Sequence, residues 1–294
     1  MMSGSEMIND AGMRFPRELF PFQSHFFDLG AYRLHFIDEG CGPVILMLHS
    51  CPLWSFEYRN FILDLRKKYR VIAIDQLGFG LSDKPEDADF RVEAHADHLD
   101  RFCSELELEN IILLMHGRGA TIGMSLAVRH PDNICAIITL NAMAFSGFKL
   151  PMRLQLCRIK WFGAKLIMDM GVFLSDIQKL KTPVRDGYLY PFPDEKSKNA
   201  LFHFIEDFPC VPEDDSSQTM FEVESTIWML KNKPACIIWA AKDWLYNDRN
   251  RIRWGQYFPH ASMTLLKHAG RCATEDAPEE ILNAIHTFLK QNDL

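Results

Sequence analysis

The feature of this sequence that most constrains the fold is a small-residue turn between an apolar run and a predicted helix. The turn at residues 115–120 (MHGRGA) follows the apolar run 111–114 (IILL) and precedes a helix predicted to begin near residue 121. A strand, a tight turn and a helix form a nucleophile elbow, which holds one side chain in a strained, exposed position above a sheet. The small residues after the tip fit this geometry because they let the helix start close against the strand. The tip itself, where Ser, Asp or Cys is expected, is Gly117.

Apolar runs of strand length alternate with stretches of helical spacing on both sides of this turn. Continuous apolar runs, typical of strands buried on both faces of a sheet, occur at 44–49, 70–75, 111–114, 134–140, 235–240 and 263–266. Helical spacing occurs at 54–68, 93–106, 121–130 and 278–290, and period-two alternation predicts a hairpin at 25–38. This alternation predicts an α/β fold with a mostly parallel central sheet that is flanked by helices on both faces.

The alternation stops at about residue 141 and resumes at about residue 230. The stretch between is rich in aromatic residues and in turns broken by proline, and it has no clear buried strand. A helical insertion between two halves of such a sheet lies over the pocket at the carboxyl ends of the strands. We therefore predict a flexible leader at 1–20, an α/β core at 21–141 and 230–294, and a helical cap at 142–229.

The composition of the chain indicates which kinds of partner and which cellular compartment to expect. The net charge of −7 and the pI near 5.9 argue against a nucleic-acid-binding surface. The eight cysteines have no CxxC spacing, which favours a reducing compartment, and we predict no metal and no cofactor. No apolar stretch approaches the roughly 18 residues of a transmembrane helix, and the N-terminus lacks the pattern of a signal peptide. The sequence therefore predicts a cytoplasmic protein.

An elbow nucleophile works with an orienting acid and a base that come later in the chain. Asp243 follows the predicted strand at 235–240 and fits the acid, although an Asp there is also a common turn or N-cap residue. The base is expected in the loop at 268–278, where the residue after Ala-Gly is Arg271. Arginine stays protonated at physiological pH and cannot act as a general base. His268 is an alternative base, but we favour a partly exposed histidine at the end of a strand.

The loop at 49–55 (HSCPLWS) is the candidate for oxyanion stabilisation. Its backbone amides, with the amide of Arg118, are predicted to face a developing negative charge, and backbone donors remain when side chains change. The residues predicted to line this oxyanion site and pocket are Ser50, Cys51, Trp54, His116 and Arg118. Cys51 is the one alternative nucleophile, but without a nearby base we expect an inert thiol.

Several motifs together carry a family resemblance that covers nearly everything after residue 20. They include DEG at 38–40, HSCPLWSF at 49–56, GFGLSDKP at 78–85 and EDAPEE at 275–280. With these motifs the chain resembles the haloalkane dehalogenase branch of the α/β-hydrolases, and in particular the β-lactone decarboxylases of long-chain olefin biosynthesis. The resemblance implies an α/β-hydrolase fold with an inserted helical cap.

The resemblance also implies a mechanism. In that family an Asp at the elbow tip attacks carbon to give an ester, a His activates water, and in the dehalogenases a Trp beside the Asp helps to bind the halide. Here the Asp position is Gly117, the Trp position is Arg118 and the His position is Arg271, so only the acid, Asp243, matches. Loss of the nucleophile or of the base typically costs on the order of a million-fold in rate.

Our leading hypothesis is a pseudoenzyme that binds a small apolar or amphiphilic ligand, or a partner protein, without turnover. We expect Arg271 to form a bidentate pair with Asp243. Arg118 either attracts an anionic ligand together with Arg271 or points along the surface.

Two alternatives stay open. The first is an active hydrolase or lyase (dehalogenase, esterase, epoxide hydrolase or β-lactone decarboxylase type) with rearranged residues: Cys51, His116, His268 or Asp243. The second is a scaffold for a partner in lipid metabolism, since residues 150–174 have the pattern of a basic amphipathic helix. We favour the interpretation of that stretch as cap helices over an apolar pocket.

Overall fold

The computed structural model describes residues 12, 15, 17–147, 149–159, 174–208 and 210–294. The predicted flexible leader at 1–20 therefore lies largely outside the described residues. Most of the stretch predicted as a basic amphipathic helix, residues 160–173, also lies outside them.

The described strands form one sheet in the order β1-β2-β4-β3-β5-β6-β7-β8. The pairs β1·β2 and β2·β4 are antiparallel and the other pairs are parallel, as the alternation of strands and helices predicts. The strands are β1 His25–Asp28, β2 Arg33–Glu39, β3 Val44–Leu48, β4 Arg70–Ile74, β5 Ile111–His116, β6 Ile134–Leu140, β7 Ala235–Ala240 and β8 Ser262–Leu266.

Helices connect the strands. The described α-helices are α1 Arg59–Leu65, α2 Val92–Glu105, α3 Gly119–Arg129, α4 Met152–Cys157, α5 Val184–Leu189, α6 Asn199–Glu206, α7 Ser217–Thr226, α8 Asp248–Tyr257, α9 Ala273–Asp276 and α10 Pro278–Gln291. The helix predicted at 54–68 is shorter than its pattern, because a 3₁₀ turn at Ser55–Tyr58 precedes α1. The elbow helix begins at Gly119, slightly before the predicted start.

Strand β5 shows why the apolar runs are continuous. All of its residues are buried, since helices cover both faces of the sheet. Ile111, Leu113 and Met115 belong to the hydrophobic cluster on one face, and Ile112 and Leu114 belong to the cluster on the other face. This is the period of two that a strand imposes on its side chains.

A buried carboxylate at the end of β4 organises the loops near the carboxyl edge of the sheet. Asp75 accepts hydrogen bonds from Ser55 N at 2.7 Å and from Leu81 N at 2.9 Å, and it pairs with His35 Nδ1 at 2.8 Å. Burial raises the pKa of Asp75, but His35 and the other donors outweigh burial, so the pKa is lowered. A Cβ on Gly80 (φ +52°) would come 2.1 Å from Asp75 Oδ2, so this close approach requires glycine.

Between β6 and β7 the chain forms an insertion, residues 141–234. Its described residues contain helices and turns but no strand, as the sequence predicts. The boundaries of a separate cap stay a prediction. None of the described helices is long and apolar enough to cross a membrane.

Candidate active site

The turn after β5 has the backbone geometry of a nucleophile elbow. Gly117 has φ +54°, and α3 begins two residues later at Gly119. A Cβ on Gly119 would come 2.4 Å from the carbonyl oxygen of Leu48, so only glycine lets α3 start this close to β3. The tip of the elbow is therefore formed as predicted, with no side chain on it.

The space above the tip is occupied by two neighbouring side chains. A Cβ on Gly117 would lie 2.1 Å from Ser50 Oγ and 3.1 Å from Tyr246 Cε2. Ser50 and Tyr246 are 0% and 1% exposed, so they have little free space to move into. An aspartate at this position therefore requires at least Ser50 to move. Sequence reasoning identified Ser50 as a pocket residue but missed this contact, and it missed Tyr246 altogether.

Arg271, at the position predicted for the base, binds the candidate oxyanion loop. Its Nη2 donates to Ser50 Oγ at 3.0 Å and to Cys51 O at 2.5 Å. Its Nη1 lies 3.8 Å from Asp243 Oδ2, which is an ion pair without a hydrogen bond. The predicted bidentate pair with Asp243 is therefore wrong, because Nη2 is bonded to the loop and Nη1 stays too far from the carboxylate for a hydrogen bond.

Electrostatics keep Arg271 charged. Burial lowers the pKa of its guanidinium, but the Asp243 carboxylate and weaker contributions from Tyr246 and nearby thiols outweigh burial, so the pKa is raised. The guanidinium also lies 5.1 Å from the centre of the Tyr246 ring. Arg271 therefore cannot accept a proton from water or from a nucleophile at neutral pH.

Asp243 lies directly after β7, at the position predicted for the acid. Its Oδ1 accepts hydrogen bonds from Leu245 N at 2.8 Å and Tyr246 N at 3.3 Å, which is the contact of a turn residue. Its Oδ2 is buried and has no hydrogen-bond partner among the residues that the structure describes. Asp243 thus has the location of the acid but no imidazole to orient.

In the candidate oxyanion loop, one of the predicted backbone donors already has an acceptor within the protein. The amide of Ser50 donates to Glu57 Oε1 at 2.9 Å, so it is already used within the protein. The amides of Cys51 and Arg118 donate no hydrogen bond to any described residue. These two amides are the candidate donors to an oxyanion.

A buried acid beneath the elbow was missed by the sequence reasoning. Glu57, 1% exposed, has Oε2 2.6 Å from Nδ1 of His116, the last residue of β5. It thereby links the strand that carries the tip to the amide of Ser50. The signal that indicates Glu57 is an acidic residue within the apolar stretch 53–58 (LWSFEY). His116 Nε2 is buried and has no partner in the described part of the chain.

The alternative nucleophile and base are not brought together. Burial raises the pKa of the Cys51 thiol by more than Arg271 and Arg118 lower it, so the thiol stays protonated. The side chain of His268 is 55% exposed and lies 3.3 Å from Glu280 Oε1. His268 is therefore the partly exposed histidine that we favoured.

The side chain of Arg118 is buried and contacts the insertion, so the prediction that it points along the surface is wrong. The residue is 1% exposed, and its guanidinium donates to the carbonyl oxygen of Phe204 and to Oδ2 of Asp207. Its charge also lies 3.9 Å from the centre of the Phe204 ring. Since Asp207 neutralises this charge, Arg118 has become a structural link between the elbow and the insertion.

Asp207 extends this link to two more helices. Its carboxylate accepts hydrogen bonds from Ser216 N at 3.1 Å and Ser216 Oγ at 2.5 Å, at the start of α7. It also accepts from Val92 N at 3.3 Å, at the start of α2. We call Arg118, Asp207 and Ser216 the elbow link. Sequence reasoning did not find Asp207, because nothing local marks it as the partner of Arg118.

The insertion is fixed to the core on another side as well. Arg59 donates to both carboxylate oxygens of Glu275, at 2.6 and 2.7 Å, and Tyr188 Oη donates to Glu275 Oε1 at 2.6 Å. Tyr188 belongs to α5 in the insertion, whereas Arg59 and Glu275 belong to the core. Bidentate ion pairs of this kind, here largely buried, hold elements in a defined geometry.

Comparison with known proteins adds to this geometry. Residues 43–278 match the model of the alpha/beta hydrolase fold family. The chain belongs to the alpha/beta hydrolases.

Relatives of this alpha/beta hydrolase agree with the resemblance seen in the sequence. The cis-3-alkyl-4-alkyloxetan-2-one decarboxylase of Shewanella oneidensis is 30% identical over 288 residues, which cover 94% of this chain and 91% of that protein. An oxetan-2-one is a β-lactone, so the predicted resemblance is confirmed. Haloalkane dehalogenase 2 of Mycobacterium bovis is 29% identical over 281 residues, which cover 91% of this chain and 95% of that protein.

Solved structures confirm the fold. Haloalkane dehalogenase DbeA from Bradyrhizobium elkani has a TM-score of 0.84 at 19% identity, covering 92% of this chain and 99% of that one. A putative ancestral haloalkane dehalogenase has a TM-score of 0.83 at 22% identity. Together with its sequence relatives, this hydrolase is of the haloalkane dehalogenase and oxetanone decarboxylase type.

In this hydrolase the three positions that the sequence predicts for the nucleophile, the acid and the base lie at the carboxyl edge of the sheet. Gly117 follows β5, Asp243 follows β7 and Arg271 follows β8. Within the described residues, no group of three or more His, Cys, Asp or Glu side chains is arranged to hold a metal ion.

Proposed function

We propose that this alpha/beta hydrolase is a non-hydrolytic member of its family, which binds an apolar or amphiphilic small molecule, or a partner protein, without turnover. The observation that carries the proposal is the elbow tip. Gly117 supplies no nucleophile, and a Cβ there would meet Ser50 Oγ at 2.1 Å. A lost nucleophile whose space is filled is expected of a site adapted to another role.

The chemistry of the family cannot proceed by its usual route with these residues. An ester intermediate needs a carboxylate at position 117, and its hydrolysis needs a neutral imidazole at position 271. Loss of either group costs on the order of a million-fold, and the second loss adds little. What remains is binding and oxyanion stabilisation, roughly a thousand-fold over water.

The properties of the site favour an apolar or amphiphilic ligand. Phe204 of the insertion packs on the guanidinium of Arg118 beside the elbow, and its ring centre lies 5.8 Å from that of Phe79, so these surroundings of the elbow are apolar. The amides of Cys51 and Arg118 provide donors for one polar oxygen. A partner protein in lipid metabolism is the alternative, which is suggested by the basic amphipathic pattern of residues 150–174.

A turnover assay tests the non-hydrolytic part of the proposal. The unmodified chain is incubated with a cis-3,4-dialkyl β-lactone, a set of haloalkanes and chromogenic esters, beside the Shewanella oneidensis decarboxylase as positive control. We expect rates at least about 10⁵-fold below the control on its own substrate. Turnover comparable to the control, if Asp243→Asn or Cys51→Ala abolishes it, would instead establish an enzyme with rearranged residues.

A binding assay tests the ligand. Thermal unfolding and calorimetry with alkanoic acids, alcohols and intact β-lactones of increasing chain length should show stabilisation that grows with chain length, since each buried CH₂ contributes about 0.8 kcal/mol. A ligand oxygen that accepts hydrogen bonds from the amides of Cys51 and Arg118 should add a fixed increment for polar head groups. If no compound raises the unfolding temperature of the chain, the proposal of an apolar or amphiphilic ligand is contradicted and the partner-protein alternative is favoured.

A further inference from the structure

One helix of the insertion carries an apolar face that points to solvent. Helix α7 continues through a 3₁₀ turn at Ile227–Leu230, and on it Phe221, Trp228 and Met229 are 61%, 64% and 41% exposed. These residues, with the small Ser225 between them, form what we call the α7 face. The opposite side of the same helix is already buried against the core, through Met220, Val223, Ile227 and Leu230.

Exposed aromatic residues spaced along one helix face are typical of interfaces. Trp and Phe are enriched where protein surfaces are buried against partners, whereas a single exposed apolar residue is common on any surface. Phe221 and Trp228 are two helical turns apart, so they lie about 10 Å apart along the axis. The face thus presents two aromatic groups separated by a small residue, which lets another helix approach closely.

A groove lies beside the first of these aromatic groups. It has a volume of about 460 Å³ and is lined by Val211, Pro212 and Phe221 among others. Val211 is itself 49% exposed. A large apolar side chain from another molecule, placed against Phe221, fits a groove of this size and chemistry.

Charge divides the α7 face into two ends. Glu222 lies beside Phe221, and Glu213 and Asp215 precede the helix, so the N-terminal end is acidic. Lys231 and Lys233 follow Met229, so the C-terminal end is basic. Glu222 and Lys231 form no ion pair with other residues that the structure describes, and the Glu222 carboxylate is bonded to Gln218. In an antiparallel pair, the acidic N-terminal end of this helix lies beside the C-terminal end of the partner helix. The charges are complementary when the partner helix is also acidic at its N-terminal end and basic at its C-terminal end.

We propose that the partner is a second copy of this chain, which pairs its own α7 face antiparallel across a two-fold axis at Ser225. In this arrangement Phe221 of each copy lies opposite Met229 of the other, and Trp228 of each copy lies beside the other's groove. Lys231 of one copy is then about 4.5 Å along the axis from Glu222 of the other, within reach of its long side chain. A two-fold contact uses one surface on both copies, as this self-complementary pattern requires.

The contact extends beyond the helix itself. Stable interfaces bury about 800 Å² on each partner, so residues 210–213 and the groove take part together with the α7 face. The exposed apolar residues at the centre and the charged residues at the two ends match the usual division into an apolar core and a polar rim. This proposal does not depend on whether the candidate active site is catalytic.

Sedimentation velocity over a micromolar concentration series tests the dimer. We expect the unmodified chain to associate into dimers, and Phe221→Ser/Trp228→Ser to weaken association at least about tenfold. Phe26→Ser is the matched control, since Phe26 is 49% exposed on β1, an edge strand of the sheet outside the insertion. A chain that stays monomeric across the series, or a double variant that associates like the unmodified chain, overturns the proposal.

A charge swap tests the antiparallel arrangement. Glu222→Lys and Lys231→Glu each place like charges opposite one another in the dimer and should weaken association roughly tenfold. The double variant Glu222→Lys/Lys231→Glu restores opposite charges in both symmetry-related pairs and should recover the unmodified affinity. Association that is not restored in the double variant overturns the two-fold pairing of this face, even if the chain is a dimer.

Discussion

Gly117 lacks the Cβ that would keep neighbouring side chains away from the elbow tip, and Ser50 occupies that space. The tip has φ +54°, where glycine is favoured over all other residues. Ser50 is in turn bonded by Nη2 of Arg271 at 3.0 Å. The residues at positions 50, 117 and 271 therefore form one set of contacts, and a change at one position alone disturbs the other two.

The contact between Gly117 and Ser50 predicts the effect of adding a single methyl group. Gly117→Ala should lower the free energy of unfolding by at least about 2 kcal/mol, from the left-handed backbone and the clash with Ser50. The double variant Gly117→Ala/Ser50→Gly should recover the part of this free energy that is lost through the clash with Ser50. Gly147→Ala is the matched control, since Gly147 has φ +69° and open space around its Cβ position, and it should cost about 1 kcal/mol. Urea denaturation measures all of these values, and equal losses for Gly117→Ala and Gly147→Ala would contradict the contact.

The buried pair of Arg271 and Asp243 predicts an asymmetric mutational cycle. Arg271→Met should cost about 3–5 kcal/mol, because it leaves the Asp243 carboxylate buried without its counter-charge. Arg271→Met/Asp243→Asn should cost less than Arg271→Met alone, because the double variant leaves no buried charge. Chemical denaturation of the unmodified chain, Arg271→Met, Asp243→Asn and the double variant gives the coupling free energy between the two residues. Additive losses would mean that the ion pair at 3.8 Å contributes nothing.

His95 predicts a loss of stability in acid. Burial on α2, with smaller effects of His98 and Arg118, lowers the pKa of His95 to about 3. The unfolded chain takes up this proton near pH 6.5, so the contribution of His95 is complete above that pH and is lost as the pH falls towards 3. Between pH 8 and pH 5 the loss should be about 2 kcal/mol. His95→Gln should remove this part of the pH dependence. The control is His130→Gln, at an exposed position, which should leave it unchanged. Urea unfolding of both variants and of the unmodified chain at pH 8 and pH 5 gives the free energies that are compared.

At the scale of elements, the turn that carries the elbow tip is bonded to the insertion as well as joined to the sheet. Arg118 lies between β5 and α3, and through Asp207 it connects these elements to α6, α7 and α2. The sequence predicted β5, α2 and α3 from their own periodicity, but for α6 and α7 it predicted only a helix-rich insertion. It did not predict the elbow link, because Arg118 and Asp207 are distant in the chain and meet only after the insertion has packed against the core.

The elbow link predicts where the insertion loosens first. Arg118→Met should leave Asp207 buried without its counter-charge and increase amide hydrogen exchange in α6 and α7. Arg185→Met is the control, because Arg185 forms a partly exposed pair with Asp186 on α5 and should leave exchange in these helices unchanged. Hydrogen exchange with mass spectrometry gives the result by segment, and faster exchange confined to the elbow itself would contradict the role of Arg118 in holding the insertion.

At the scale of the whole molecule, the sequence predicted the fold better than the contacts of the site. Strands β3, β5, β6 and β7 are buried on both faces, so their apolar runs are continuous and visible without any partner. The positions of Gly117, Asp243 and Arg271 followed from their places after strands. The occupation of the tip by Ser50, and the binding of Arg271 to the oxyanion loop, depend on side-chain packing between distant loops, which no local pattern records.

The most direct test of the non-hydrolytic proposal compares three forms of the chain with the β-lactone, haloalkane and ester substrates. They are the unmodified chain, Gly117→Asp/Arg271→His, and the same double variant with Ser50→Gly. We predict that only the triple variant is active, at least about a hundredfold above the other two, because only there is space available for the new carboxylate. Enzyme-like turnover by the unmodified chain would contradict the absence of catalysis, and equal activity of the double and triple variants would contradict the filling of the tip by Ser50.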